Sequence, residues 1–471
     1  MVDIPIPSGN YQQQGAPLQQ NTDVYIPPVV NVPVPPPPSG KSLPLPILVG
    51  VGVTILMFII LVTIRGLMSN KNKKVELTLW GFWEQSVVDP LIQDYQKQNP
   101  DVTVKYVLES KVDYRERLTN TLAKPNGPDI FPIHNSWVPM FNKELDSLPQ
   151  AVMTQADYAK TFYPIASSDL SNSRSIVGIP LEYDALTLFI NEDIFASSGK
   201  TPPSTWDDLR VLAKDPALLK KDLQGNITQA GVALGRTENV DYWPEIIGLM
   251  MLQSGVDLNN PSGDAAQRAL KFYALFSTVE GDWDVTQPVS SLAFSNGKLA
   301  MYFAPSWEAY NIKSLNPGLK FRTVALPQLA RSNPSDPGMS YATYWADGVW
   351  ARSKNKMEAW KFLKFLSSQE SETKLNAPTS GSFAKAYSRM DMADAQKQDP
   401  YLGSVVSLAP YAQSWYLQSN THDGPTGINT QIKNLFSDAV TSTIKGLSSD
   451  TVLSTLNDGL NRILSAYGLV K

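Results

Sequence analysis

The chain contains no cysteine. Disulfides, thiolate metal sites and cysteine nucleophiles are thereby excluded, and so is a lipid anchor built on a cysteine. Histidine is almost as scarce: His134 and His422 are the only two, too few for a multi-histidine metal site. There is no excess of positive charge either. Forty lysines and arginines stand against 44 acidic residues, a net charge of −4, so no overall basic surface for nucleic acid is expected. Several chemical signatures are missing as well: no HExxH, no G-x-S-x-G elbow and no EF-hand spacing occurs. Gly199-Lys200-Thr201 and Gly40-Lys41-Ser42 end like phosphate-binding loops, but Ile194 and Pro35 occupy the place of the first glycine. Without that glycine the backbone cannot cradle a phosphate. No catalytic residue, metal ligand or cofactor is assigned.

What is present is unevenly distributed. Many of the 36 prolines crowd the first 46 positions. Residues 1–42 read as a disordered Pro/Gln-rich tail, with YQQQ, YIPPVV and VPVPPPPSG. Such a segment has too little apolar surface to pack a core. Its proline run at 35–38 favours a stiff polyproline II spacer. Leu43 to Ile64 then carries no charge at all. This length suffices to cross a bilayer, which takes about 20 apolar residues. At roughly −0.3 to −0.6 kcal/mol for each Leu, Ile, Val or Phe near mid-membrane, insertion is favourable. A buried core helix rarely stays apolar on every face for so long, and the exit TIRGLMSN lacks the small-residue pattern of a cleaved signal. Residues 43–66 are therefore expected to be one transmembrane helix in contact with the lipid bilayer, followed by a polar tether at 67–74.

From residue 75 the pattern alternates between strands and helices. Val75–Trp80 reads as a strand. Asp89-Pro90 suits a helix N-cap and first position, Leu91, Ile92 and Tyr95 give that helix one apolar face, and Asn99-Pro100 stops it. Val102, Val104 and Tyr106 alternate with polar residues in a second strand. Tyr114, Leu118 and Leu122 mark another helix, and Asp129–Ile133 a third strand. This β-α-β-α-β order predicts a mostly parallel sheet covered by helices. Ligands gather beyond the carboxyl ends of such strands, here at GFWE (81–84), LESK (108–111) and HNSW (134–137). Further on, Thr205 and Asp208 form a capping-box pattern. Helices are expected near 243–254, 264–279, 356–367, 428–441 and 449–467. The last carries Val452, Leu453, Leu456, Leu460, Ile463, Leu464 and Tyr467 on one face.

Two kinds of residue point toward a ligand. Glu182 and Asp184 follow Gly178-Ile179-Pro180. A glycosidase needs two carboxyls facing each other across a sugar, whereas two strand residues two apart share a face. Glu84 or Asp347 remains open as an opposing partner, and so does a purely hydrogen-bonding role for all of these groups. The 11 tryptophans are the more specific clue. Trp80, Trp83, Trp137, Trp243, Trp307, Trp345 and Trp415 fall in loop-like places, and flat rings pack against the C–H faces of sugars while neighbouring polar groups read the hydroxyls. Most tryptophans in any protein are core, so two to four are expected to touch ligand.

Six stretches in order carry a resemblance: LTLWGFWE, LIQDYQKQNPDVTVKY, NGPDIFPIHNSWVPMF, VGIPLEYDALTLFINEDIFASSGKTPPSTWDDL, FSNGKLAMYFAPSWEAY and WADGVWARSKNKMEAWKFLKFLSS. From about residue 75 to the end, the chain resembles the extracellular solute-binding proteins of ABC transporters that include maltose- and other sugar-binding proteins. The resemblance implies a type II, two-lobed α/β fold with a hinge of crossing strands. Lobe 1 would hold about 75–182 and 326–377, and lobe 2 about 183–325 and 378–471. It implies a non-enzyme that captures a small ligand, a sugar or oligosaccharide, for ABC permease subunits. Carried over loop by loop, the ligand-binding positions are Trp83, Glu84, Asn135, Trp137, Glu182, Asp184, Trp243, Trp307, Trp345, Asp347 and Tyr416. A ligand sensor feeding the Pro-rich tail and a carbohydrate-active enzyme are the competing readings. This sequence departs from the family's usual cleaved signal or lipidated cysteine by its apolar span. The resemblance implies that the lobes lie outside the cell membrane. Arg65, Lys71, Lys73 and Lys74 after the span argue for the opposite orientation.

Overall fold

The computed structural model describes residues 74–173, 175–330, 337–378 and 385–470, together with Pro33 and Met57. The expected Pro-rich tail, the apolar span at 43–66 and all but the last residue of the tether thus lie outside the described residues or nearly so. Among the described residues, no helix is long and apolar enough to cross a membrane.

Five strands build the first sheet: β1 (Val75–Gly81), β2 (Val102–Leu108), β3 (Ile130–His134), β4 (Ile179–Pro180) and, much later in the chain, β11 (Trp345–Val349). Their order is β2-β1-β3-β11-β4. β1 pairs parallel with β2 and β3, in the register Val75 with Val102 and Leu79 with Ile130. β11 enters antiparallel between β3 and β4, so the expected mostly parallel sheet contains one reversed strand. Alternation in β2 places Val102 and Val104 inward with Thr103 and Lys105 in solvent, as the period of two requires. β3 is buried along its whole length, which explains its near-continuous apolar sequence.

The helix after β1 differs from expectation. It spans Gln85–Gln98 and carries Pro90 inside it. Asp89-Pro90 mimics a helix start, but the helix begins one turn earlier, with Glu84 as its N-cap. Pro90 is the sixth helical residue, past the first turn, so it forfeits the bond to the Ser86 carbonyl. The stop at Asn99, before Pro100, is as the sequence indicates.

The second sheet takes β5 (Leu186–Asn191), β6 (Lys220–Lys221), β7 (Ile227–Val232), β8 (Leu299–Pro305) and β9 (Phe321–Val324), in the order β6-β7-β8-β5-β9. It is mixed: β7 and β8 run parallel, while β5 runs antiparallel to both β8 and β9. Thr205 caps the helix Trp206–Ala213, with both arms of the capping box to Asp208 present. The terminal helix Ser449–Ala466 buries Val452, Leu453, Leu456, Leu460 and Leu464. Ile463 and Tyr467 are only half-buried against the same core. A fully buried side chain of this type stabilises by about 1.5–3 kcal/mol, so this stripe ties the end of the chain to the second sheet.

Two separate apolar cores result. One gathers side chains from Leu77 to Ala185, from Ala342 to Leu375, and Ala386, Leu402, Val405, Val406, Ala409 and Ala412. The other gathers Leu186 to Leu326, Tyr341, and Leu417 to Leu464. The chain passes from one sheet to the other between β4 and β5, returns between β9 and β11, and passes again after β12 (Ala412–Gln413). β12 pairs parallel with β10 (Ser340–Tyr341). Isolated bridges at Tyr183–Ala386 and Ala185–Ala342 bind the first passage to its neighbours.

Candidate functional site

The loops beyond β1, β2 and β3 meet the first residues of β11. Phe82 stands edge-on to Tyr114 and to Trp345, with 4.9 Å between ring centroids in each case. Gly81 is required just before it: a β-carbon there would lie 2.7 Å from the Tyr106 ring. The Tyr106 hydroxyl in turn donates to the Trp83 carbonyl at 2.6 Å, which fixes the course of the loop. Two lysines complete this wall. Lys111 Nζ lies 5.3 Å from the centroid of Phe82 and 5.1 Å from that of Trp345. Lys385 Nζ lies 5.3 Å from the centroid of Trp83 and forms an ion pair with Glu182. An ammonium above an aromatic face is attracted by the ring's negative centre.

Trp345 and Asp347 share one face of β11. Trp345 is only 7% exposed and contacts His134 and Trp137 as well as Phe82, at 5.4 and 5.2 Å between centroids. Asp347 is 2% exposed, and its Oδ1 has no hydrogen-bond partner among the described residues. Burial, aided by the negative charge of Glu182, pushes its carboxyl up to about 8 despite the opposing pull of Lys385.

Asp184 lies on the first passage between sheets. It accepts from Ala185 N at 2.7 Å, Ser306 N at 2.9 Å, Ser306 Oγ at 2.8 Å and Trp307 N at 3.1 Å. Burial still outweighs these donors and raises its carboxyl to about 7. The Trp307 indole donates to Tyr242 Oη at 3.2 Å, and that hydroxyl donates to Glu308 at 2.8 Å. Trp307 itself is half-buried. Its ring is thus held by hydrogen bonds while part of its surface stays open.

The remaining expected site residues fall elsewhere. Asn135 donates to Asp169 at 2.8 Å and accepts from Tyr344 N at 3.2 Å. Tyr344 and Ser414 also donate to Asp169, whose carboxyl burial raises to about 6. Asn135, Asp169, Ser414 and Tyr416 border a polar cavity of about 380 Å³. Trp243 borders another, of about 250 Å³, with Asn239, Asp241 and Asn420. Trp137 is fully buried and stacks on Tyr114 at 6.0 Å; it shapes the wall from behind and presents no free face. Glu84 is exposed beside Trp83. Trp83, Glu182, Trp345 and Asp347 therefore share one wall with Phe82, Lys111 and Lys385, while Asn135 with Tyr416, and Trp243, line separate cavities.

The carboxylates differ in their partners: Glu182 pairs with Lys385, Asp184 accepts from four donors, and Asp347 is buried with Oδ1 unpartnered among the described residues. Behind the wall, His134 contacts Ser136 Oγ at 2.8 Å and Thr343 Oγ1 at 3.2 Å. Ser136 donates to Asn429 at 3.0 Å, so the loop after β3 is tied to a helix of the second core. Burial, with the positive charge of Lys111, depresses this imidazole to about 3, and it stays neutral.

The architecture is thus two sheets, each with its own core, joined by three passages, with aromatic and polar loops at strand ends. The profile of bacterial extracellular solute-binding proteins matches residues 83–373, and the chain belongs to that family. A binding protein of Brucella abortus (strain 2308) is 25% identical over 284 residues, which span 58% of this chain and 66% of that protein. The maltodextrin-binding protein MdxE of Bacillus subtilis (strain 168) is 24% identical over 304 residues, 59% of this chain and 65% of that protein. The match thus spans just under two thirds of these relatives. Among solved structures, the sugar-binding protein MalE from Xanthomonas citri superposes with a TM-score of 0.67 at 19% identity, covering 83% of this chain and 98% of that one. That likeness confirms the two-lobed α/β fold expected from the sequence.

Proposed function

We propose that this chain is a membrane-anchored, extracytoplasmic receptor that holds a saccharide between its lobes and delivers it to ABC permease subunits. The observation that carries the reading is the wall of Phe82, Trp83 and Trp345 with Lys111, within the field of Asp184 on the first passage, the carboxylate to which Trp307 N of the second lobe donates. Aromatic faces beside fixed hydrogen-bonding groups are what a sugar requires. Membership of the solute-binding family and the maltodextrin-binding relative support it. The ligand-contacting set is proposed as Trp83, Glu84, Asn135, Glu182, Asp184, Trp243, Trp307, Trp345, Asp347 and Tyr416, with Trp137 supporting the others from within the core. The lobes close by a hinge at the three passages. The two cores support drawing lobe 1 as about 75–185, 342–377 and 385–412, which moves the boundary at 326 to about 342 and the last boundary from 378 to about 413.

The carboxylates perform no chemistry in this reading. Incubating the protein with oligosaccharides should return them intact, and Glu182→Gln should alter affinity alone. A product peak made by the wild type and lost in Glu182→Gln would establish an enzyme instead.

Residues 43–66 anchor the receptor, with the Pro-rich tail inside and the lobes outside. The positive-inside bias acts on short flanks and weakly on large translocated domains, so the four cations after the span do not decide the topology. Protease added to intact cells should release a fragment beginning near residue 70 and leave a tag on the first residues protected. Digestion of the lobes only after the membrane is opened would reverse this topology and remove the transport role.

A further inference from the structure

Lys111 stands in the loop after β2, exposed at the wall, beside groups of the first lobe and of the first passage. The fields of Glu182, Asp184 and Lys385 all reach its ammonium. Both carboxylates are already committed. Glu182 pairs with Lys385, and Asp184 accepts from Ala185, Ser306 and Trp307. Among the described residues the Lys111 ammonium makes no hydrogen bond and no ion pair; only its backbone carbonyl is engaged, by Tyr114 N at 3.2 Å. An ammonium carries three N–H donors, and the faces of Phe82 and Trp345 beneath it offer charge stabilisation but no lone pair of normal strength. The cation is therefore placed by its two rings, with its N–H donors directed to no protein acceptor among the described residues. Crowding by its neighbours removes part of its water and, with the charge of Lys385, lowers its pKa to about 8 against the opposing pull of Glu182 and Asp184. A neutral hydroxyl could accept a hydrogen bond from it, but only an anion compensates its charge as well.

We infer that the saccharide is acidic, with its carboxylate, phosphate or sulfate group seated on Lys111 Nζ beside the Phe82 and Trp345 rings. The inference rests on the binding-protein reading and narrows its ligand class. Glu182 then has a definite part: it keeps Lys385 occupied, so that the acid group is directed to Lys111 alone. The nearby carboxyl of Asp347, held neutral by burial, adds no repulsion.

The test is calorimetric titration of the full-length chain in detergent micelles, with three mixtures run separately: neutral oligosaccharides, uronic-acid oligosaccharides, and phosphorylated or sulfated sugars. One of the two acidic arms is expected to bind, which identifies the acid group, and its binding should weaken as salt rises. Lys111→Gln should reduce the affinity by about 10- to 100-fold, the scale of a charge-assisted hydrogen bond, while Lys111→Arg retains most of it. Both variants should melt within a few degrees of the wild type, because the exposed Lys111 ammonium hydrogen-bonds to no protein group among the described residues. Tight binding of a neutral oligosaccharide that Lys111→Gln leaves unchanged would overturn the inference and keep the receptor. Failure of all three mixtures to bind would overturn both.

Discussion

Trp345→Ala should be the most damaging single substitution at the wall, and its damage should be to stability as much as to binding. A reading of the sequence alone assigns Trp345 and Trp307 the same role, as ligand platforms whose loss weakens binding without unfolding. The structure separates them. Trp345 packs against Phe82, Tyr114, His134 and Trp137 and is almost wholly buried. Removing a buried tryptophan leaves a cavity and costs about 3–5 kcal/mol, so the first lobe should melt well below its normal temperature. Trp307 is half-open, and its indole bonds only to Tyr242. Trp307→Ala should weaken ligand binding by roughly 1–3 kcal/mol, as for an aromatic anchor, with a small change in melting. Thermal melts and titrations of the two variants decide the matter. Equal melting temperatures would show that Trp345 is not the keystone of the aromatic cluster, and unchanged binding in Trp307→Ala would remove it from the site.

The second large effect is a fall in stability as pH rises from about 5 to 8. Burial raises the carboxyls of Asp347 and Glu372 to about 8, of Asp184 and Glu245 to about 7, and of Asp169 to about 6. An unfolded carboxyl ionises near 4. Between these values the folded chain holds protons that the unfolded chain has lost, so raising the pH favours unfolding. Each group contributes about 1.4 kcal/mol per pH unit across its own window. His134 acts in the opposite sense: its folded pKa is depressed, so its contribution is lost as pH falls below about 6.5. His422 is depressed by burial in the same way, while burial also raises Asp282 to about 6 and Glu308 above its usual range; two imidazoles against seven carboxyls leave the net slope downward. Melting temperatures across this range should decline, and Asp347→Asn should melt higher than the wild type at pH 8.5 but not at pH 5.5. A melting temperature that climbs from pH 5 to 8 would show these carboxyls to be ionised in the fold.

Much of the fold is legible in the sequence because its signals are local. The alternation in β2, the capping box at Thr205 and the apolar stripe of 449–466 each lie within one element, and each folds as its pattern indicates. Asp89-Pro90 misleads because the helix runs through Pro90 at the loss of one backbone bond, while Val88, Leu91, Ile92 and Tyr95 hold it by packing. The reversed strand β11 is invisible locally, since its place between β3 and β4 depends on residues more than 160 positions earlier. The same distance limits reading of the site. Trp83 and Glu182 are recognisable from their loops, but that Lys385 joins them, or that Ser306 and Trp307 saturate Asp184, follows from packing alone. Lys111 was within reach: it is the one cation in LESK, a loop already placed at the end of a strand. Trp137 shows the converse, a loop tryptophan that the fold turns inward onto Tyr114.

The central claim is that the space between the two lobes holds a saccharide, and the melting of the full-length chain in the presence of saccharide mixtures tests it most directly. A ligand present at 100 times its dissociation constant stabilises the folded state by about 2.7 kcal/mol, which moves the transition by several degrees. The account predicts such a shift for at least one mixture, saturable in concentration and much reduced in Trp307→Ala. A transition that no saccharide moves, or one moved equally in the wild type and in Trp307→Ala, would contradict it.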